Sequence, residues 1–172
     1  LLLCLFYTIS VPNSEIADRV YLQQNMIFPD SAPVRLLAEE FSQQWGDDQT
    51  NLTANVQRFI NQRVKYRPEA VDLHMTPVET LRYMEEDCDG MAILAASLLN
   101  SLEVEAHVLI NHRHAWLGVG GSQYLDPDKR YLYSYSSKGI RRFNISEFLI
   151  GNMYCMVLYL SLWIVKWPQK MN

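Results

Sequence analysis

Asp87-Cys88-Asp89-Gly90-Met91-Ala92-Ile93-Leu94 decides the fold, because it sets a thiol at the start of an apolar helical run. From Met91 to Leu102 the residues Met91, Leu94, Ala95, Leu98, Leu99 and Leu102 recur at three- and four-residue steps. That spacing predicts a helix with one buried face. Asp87 fits its N-cap, with a carboxylate able to accept from amides one turn in. Cys88 would then face unpaired N–H groups and the positive end of the helix dipole, an address that predicts a lowered thiol pKa.

Downstream the pattern changes to strands. Val104 to Ile110 is short and rich in apolar and β-branched residues. Ala115 to Val119 and Gln123 to Leu125 read as two more strands, joined through Gly120-Gly121-Ser122. His114 precedes the second strand and Asp126 follows the third, so thiol, imidazole and carboxylate come in the order that a nucleophile, its base and an orienting acid need. Register decides whether His114 and Asp126 share a face. An odd-numbered loop pairs residues whose numbers sum to an even value and puts both on one face, whereas a loop of two or four separates them.

Other histidines have plainer readings. His107 lies within a strand and His74 in a polar loop, so each is a packed or solvated side chain. His112, two residues before His114, is the rival base. Cys88, His112, His114 and Asp126 are zinc-ligand types, but no Cys-x-x-Cys or His-Glu-x-x-His spacing supports a metal site, and no metal or cofactor is expected.

Upstream segments read as scaffold. Ser31 to Trp45 has a cap residue, Pro33 near the first helical position, and Leu36, Leu37, Phe41 and Trp45 spaced for one face. Leu52, Val56, Phe59, Ile60 and Val64 repeat the pattern. Thr76-Pro77-Val78-Glu79 is a capping box that starts a short helix through about Met84. Tyr131 to Arg142 predicts one or two further strands on the sheet edge, with Gly139 as a turn.

The run Thr76-Pro77-Val78-Glu79-Thr80-Leu81, then Asp87 through Leu94, Ala106-His107-Val108, His114-Ala115-Trp116 and Leu125-Asp126-Pro127, resembles the transglutaminase-like superfamily of cysteine enzymes. The resemblance covers roughly Pro33 to Arg142. It implies an α+β fold with a papain-like core, in which helices pack on an antiparallel β-sheet. It also implies Cys88 as nucleophile, His114 as general base and acid, and Asp126 as the residue that holds the imidazole. Two positions depart from the family's habit: Glu86 stands where a Gly often precedes the Asp-Cys pair, and Glu103 where a Gly often ends the helix.

The chain has 172 residues, 49% of them hydrophobic, and a net charge of −4, which excludes the basic field that nucleic-acid binding requires. Phe148 to Val165 runs 18 residues without a charge before Lys166. As a helix it would extend about 27 Å, near the hydrocarbon thickness of a bilayer, so a C-terminal transmembrane helix is expected. Leu1 to Val11 is also apolar but too short to span, and fits the remnant of a signal or anchor. The expected organisation is an N-terminal segment and linker over 1–30, the transglutaminase-like domain over 31–146, and the membrane segment with a short tail over 147–172. Cys4 and Cys155 fall in the apolar ends, so only Cys88 lies in the globular part and no disulfide framework is expected.

These readings predict a membrane-associated enzyme, its domain on the extracytoplasmic side, that acts on amide bonds of protein or peptide substrates through a thioester. Hydrolysis makes it a protease or amidase. Transfer to an amine would make it a transglutaminase, and a non-catalytic, membrane-tethered binding module of the same fold is the alternative from another class.

Overall fold

A helix with no charge over twelve residues, from Met91 to Leu102, is best accommodated at the centre of a domain, and α5 (Cys88–Ser101) sits there. The computed structural model describes residues 16–68, 75–111, 114–120, 122–123, 131–144 and 157. Every residue of α5 from Ala92 to Leu99 is buried, so the single buried face expected from periodicity is instead burial all round. Helices lie on one side of it: α2 (Ala32–Trp45), α3 (Gln49–Arg63) and α4 (Pro77–Tyr83). Strands β3 (Ala106–Ile110) and β4 (Ala115–Val119) pack on the other. Ile93, Leu94, Leu98 and Leu99 are each at most 1% exposed. Each such side chain stabilises the fold by about 1.5–3 kcal/mol relative to exposure.

The helix boundaries follow local chemistry. Thr76 and Glu79 form the expected capping box, with Pro77 at the first helical position. Ser31 is the N-cap of α2, although its side chain makes no cap hydrogen bond. Phe41 of α2 meets Phe59 of α3 with ring centroids 5.3 Å apart, which fixes the approach of those helices.

The C-terminus of α5 closes in a Schellman motif. The Val104 amide donates to the Leu99 carbonyl and the Glu103 amide to the Asn100 carbonyl, while Glu103 adopts φ 61°. Asn100 then ties the helix to β3, accepting from the Ala106 amide and donating to the Ala106 carbonyl.

The sheet has the order β5-β4-β3-β6-β7, with β5 (Ser122–Gln123), β6 (Tyr133–Ser136) and β7 (Gly139–Phe143), all neighbours antiparallel. Tyr131 to Arg142 thus supplies two strands as expected, but β6 pairs with β3 near the centre and only β7 is at the edge. All five residues of both β3 and β4 are buried, so these strands show none of the alternation of a half-exposed sheet. A two-residue parallel pair of β1 (Lys65–Tyr66) and β2 (Glu85–Glu86) brings the end of α3 beside the approach to Cys88.

Residues 16–24 form a helix, α1, and Ile16, Val20 and Ile27 join the same core as α5. The stretch ahead of residue 31 therefore contributes to the core as well as leading to it. Among the described residues no helix is long and apolar enough to cross a membrane. The expected membrane span from Phe148 to Val165 lies outside the described residues except for Val157, as does the apolar start of the chain.

Candidate active site

Asp87 has extended backbone (φ −82°, ψ −173°), and one of its carboxylate oxygens accepts from the amides of Asp89 and Gly90 at 2.9 and 3.3 Å. This is the expected N-cap, and it makes Cys88 the first helical residue. Glu86 is buried on β2, and its Oε1 accepts from the Asp87 amide at 3.2 Å. A Cβ on Gly90 would lie 2.0 Å from Glu86 Cγ. The departure at Glu86 is thus matched by a glycine one helical turn on, whose missing side chain leaves room for the larger residue.

His114 is set by a tight link between β3 and β4. Its amide donates to Asn111 Oδ1 and its carbonyl accepts from the Asn111 amide, both at 3.0 Å. Trp116 stacks on the imidazole with ring centroids 6.0 Å apart and planes 15° from parallel, which restrains the ring. Cys88 and His114 line one cleft of about 210 Å³ between α5, α3 and the start of β4. Its apolar wall includes Ile60, Met91, Ala95 and Leu117, while Gln57, Asn61 and Tyr66 add polar groups.

The electrostatics of the thiol reverse the expectation from helix polarity. The Cys88 thiol is pushed up to about 12, first by burial and then by the Asp89 charge, with Asp87 adding to it. Against these, a backbone hydrogen bond from Ala115 favours the thiolate. Burial is the main reason, since it disfavours the charged form. The Asp87 cap adds to it, because its carboxylate takes up amides at the helix start and sets a negative charge against the positive end of the dipole. The thiol itself donates to Asp89 Oδ1 at 3.3 Å.

Asp89 had drawn no attention in the sequence beyond its place in the motif. It is 3% exposed, ion-paired with Arg19 and hydrogen-bonded by Gln23, both on α1. Gln23 follows Ile16 and Val20 at helical spacing, so continuing that stripe would have marked it as a buried polar residue. Donor atoms of Asp87, Cys88 and Asp89 lie within 4.8 Å of one another. Their oxygens are engaged by helix amides, by Arg19 and Gln23, and by the thiol, an arrangement suited to holding the helix start rather than a cation.

The remaining candidates are distributed as follows. His107 is buried on β3, with Nε2 2.5 Å from where a Cβ on Gly118 would lie, so it is a packed histidine. His74, His112 and Asp126 lie outside the described residues. The β4–β5 register pairs Gly118 with Gln123 and Val119 with Ser122, so the connection has two residues and the sums are odd.

No family model matches the sequence, and no curated protein matches it. Among solved structures, that of a candidate cysteine protease from Cytophaga hutchinsonii matches with a TM-score of 0.41 and 13% identity. The match covers 64% of this chain and 41% of that one, so the chain spans less than half the length of that protein.

Proposed function

We propose that the chain is a cysteine-type enzyme that acts on amide bonds by acyl transfer, with Cys88 as nucleophile, His114 as base and acid, and Asp126 as the group that orients the imidazole. The observation that carries this reading is the shared cleft of Cys88, at the start of a buried helix, and His114, at the head of an adjacent strand. Because the resting thiol is strongly protonated, the proton leaves sulfur as the attack occurs rather than in a standing ion pair. His114 takes that proton and Sγ bonds to the carbonyl carbon. The leaving amine departs with the proton from His114, and a thioester remains. Water then releases the acid in a protease or amidase, whereas an amine would release a new amide in a transglutaminase. The Cys88 amide is a plausible oxyanion donor, and the apolar wall suits an aliphatic side chain of a peptide.

Incubating the full chain with casein tests this reading and separates the acceptors. Release of acid-soluble peptides, lost in Cys88→Ser and His114→Ala, supports hydrolysis; incorporation of dansylcadaverine without peptide release supports transfer. Neither product would favour a non-catalytic binding module of this fold. That reading draws on the raised thiol. Membrane association through Phe148 to Val165, with the domain on the extracytoplasmic side, belongs to the proposal. Recovery of the full chain in a carbonate-washed membrane pellet tests the association, and protease protection of the domain in sealed spheroplasts tests the side.

A further inference from the structure

The carboxylate beside the nucleophile is held by parts of the chain far apart in sequence. Asp89 Oδ2 takes both the Arg19 ion pair and the Gln23 hydrogen bond, while Oδ1 accepts the Cys88 thiol at 3.3 Å. Gln23, fully buried, is fixed in turn by the Tyr135 hydroxyl of β6, which donates to Gln23 Oε1 at 2.7 Å. A guanidinium and a carboxamide on one oxygen leave the other oxygen for the thiol.

We propose that Asp89 is a positioning residue that holds the Cys88 thiol as a hydrogen-bond donor in the resting site, and that α1, through Arg19 and Gln23, fixes it for that task. The inference rests on the acyl-transfer reading of Cys88. Around the thiol, Asp87 and Asp89 belong to the start of α5, Glu86 to β2, Arg19 to α1 and His114 to the head of β4. From α3 the groups are the neutral Gln57 and Asn61, and from β1 the Tyr66 side chain. While S–H donates to Asp89 the proton stays on sulfur. Rotation about the Cys88 Cα–Cβ bond turns it from Asp89 towards the imidazole, which accepts it as the S–C bond forms. The resting site is thus held unreactive by a contact that substrate entry must break.

The test is the rate of Cys88 alkylation by iodoacetamide, read by peptide mass spectrometry on the full chain across pH 6 to 12. Asp89→Asn removes the charge and offers the thiolate an N–H donor. The double variant Arg19→Met/Asp89→Asn does the same and leaves no unpaired guanidinium. Far below the thiol pKa, each unit of lowering raises the thiolate fraction tenfold, so both variants should react at least about tenfold faster than the parent near pH 8. The parent's rate should rise with pH and level only well above the free thiol value of about 8.5. Folded variants that react no faster than the parent, or a parent that levels at or below the free value, would overturn the proposal. His114→Ala, followed in parallel for capture of an acyl group, separates the two ideas. Faster alkylation in Asp89→Asn with capture indifferent to His114 keeps the hold of Asp89 on the thiol but removes acyl transfer, and with it the handover to the imidazole; the converse removes the Asp89 proposal alone.

Discussion

At its N-terminus α5 sets two carboxylates beside one thiol, while at its C-terminus it closes with backbone hydrogen bonds. Burial, then the charges of Asp89 and Asp87, raise the thiol that the helix polarity alone would lower. Glu103 at the second end takes a left-handed conformation, with Val104 buried beyond it near Leu99. Strain at the C-terminal end concerns stability only. At the N-terminal end, what secures the helix start opposes the reactive form of the nucleophile, a local conflict of the kind functional sites carry.

Substitutions at the two ends should therefore separate stability from reactivity. Gly90→Ala has the largest expected effect, since a Cβ would meet Glu86 Cγ at 2.0 Å. We expect a loss of roughly 2–3 kcal/mol in urea denaturation, from overpacking at a helix start that cannot yield without moving Glu86. A variant as stable as the parent would show that Glu86 repacks freely. Next is Asp87→Ala, which should lose about 1 kcal/mol with the cap. It should nonetheless alkylate faster at neutral pH, because one of the charges that hold the thiol protonated is gone. Stability and reactivity falling together would break the contrast. Smallest is Glu103→Gly, which relieves the positive φ and should stabilise by about 1 kcal/mol with alkylation of Cys88 unchanged. Any shift in alkylation there would couple the two ends.

What could be read from the sequence was what neighbours in sequence decide. The helical stripe of α3, the Thr76 capping box, the Asp87 cap and the extent of β4 follow from spacings of a few residues, and each is found, whereas α2 forms but buries Val34, Ala38 and Phe41 and leaves Leu36 of the expected face exposed. The thiol's state depends on burial and on Asp89, which Arg19 and Gln23 hold; Gln23 stands 66 positions before Asp89, so its stripe marks it as buried but no local pattern pairs it with Asp89. The burial of α5 on every side likewise depends on what surrounds it. Its uncharged length and the neighbouring helices and strands are legible, but not that they enclose it on every side. The placement of β6 beside β3 is set by pairing across the sheet, to which Tyr131 to Arg142 gives no register signal of its own. The length of the β4–β5 turn is not legible either, since Gly120-Gly121-Ser122 permits an odd or an even sum across it.

The most direct test of the account is capture of an acyl group. The full chain and His114→Ala would be mixed with p-nitrophenyl acetate at pH 7.5, and acetylation of Cys88 followed by mass spectrometry. A thioester at Cys88 that forms at least roughly 100-fold more slowly without the imidazole is the result predicted by general-base catalysis at this site. Equal rates in the two proteins would contradict it, leaving Cys88 and His114 as neighbours in a cleft without a shared reaction.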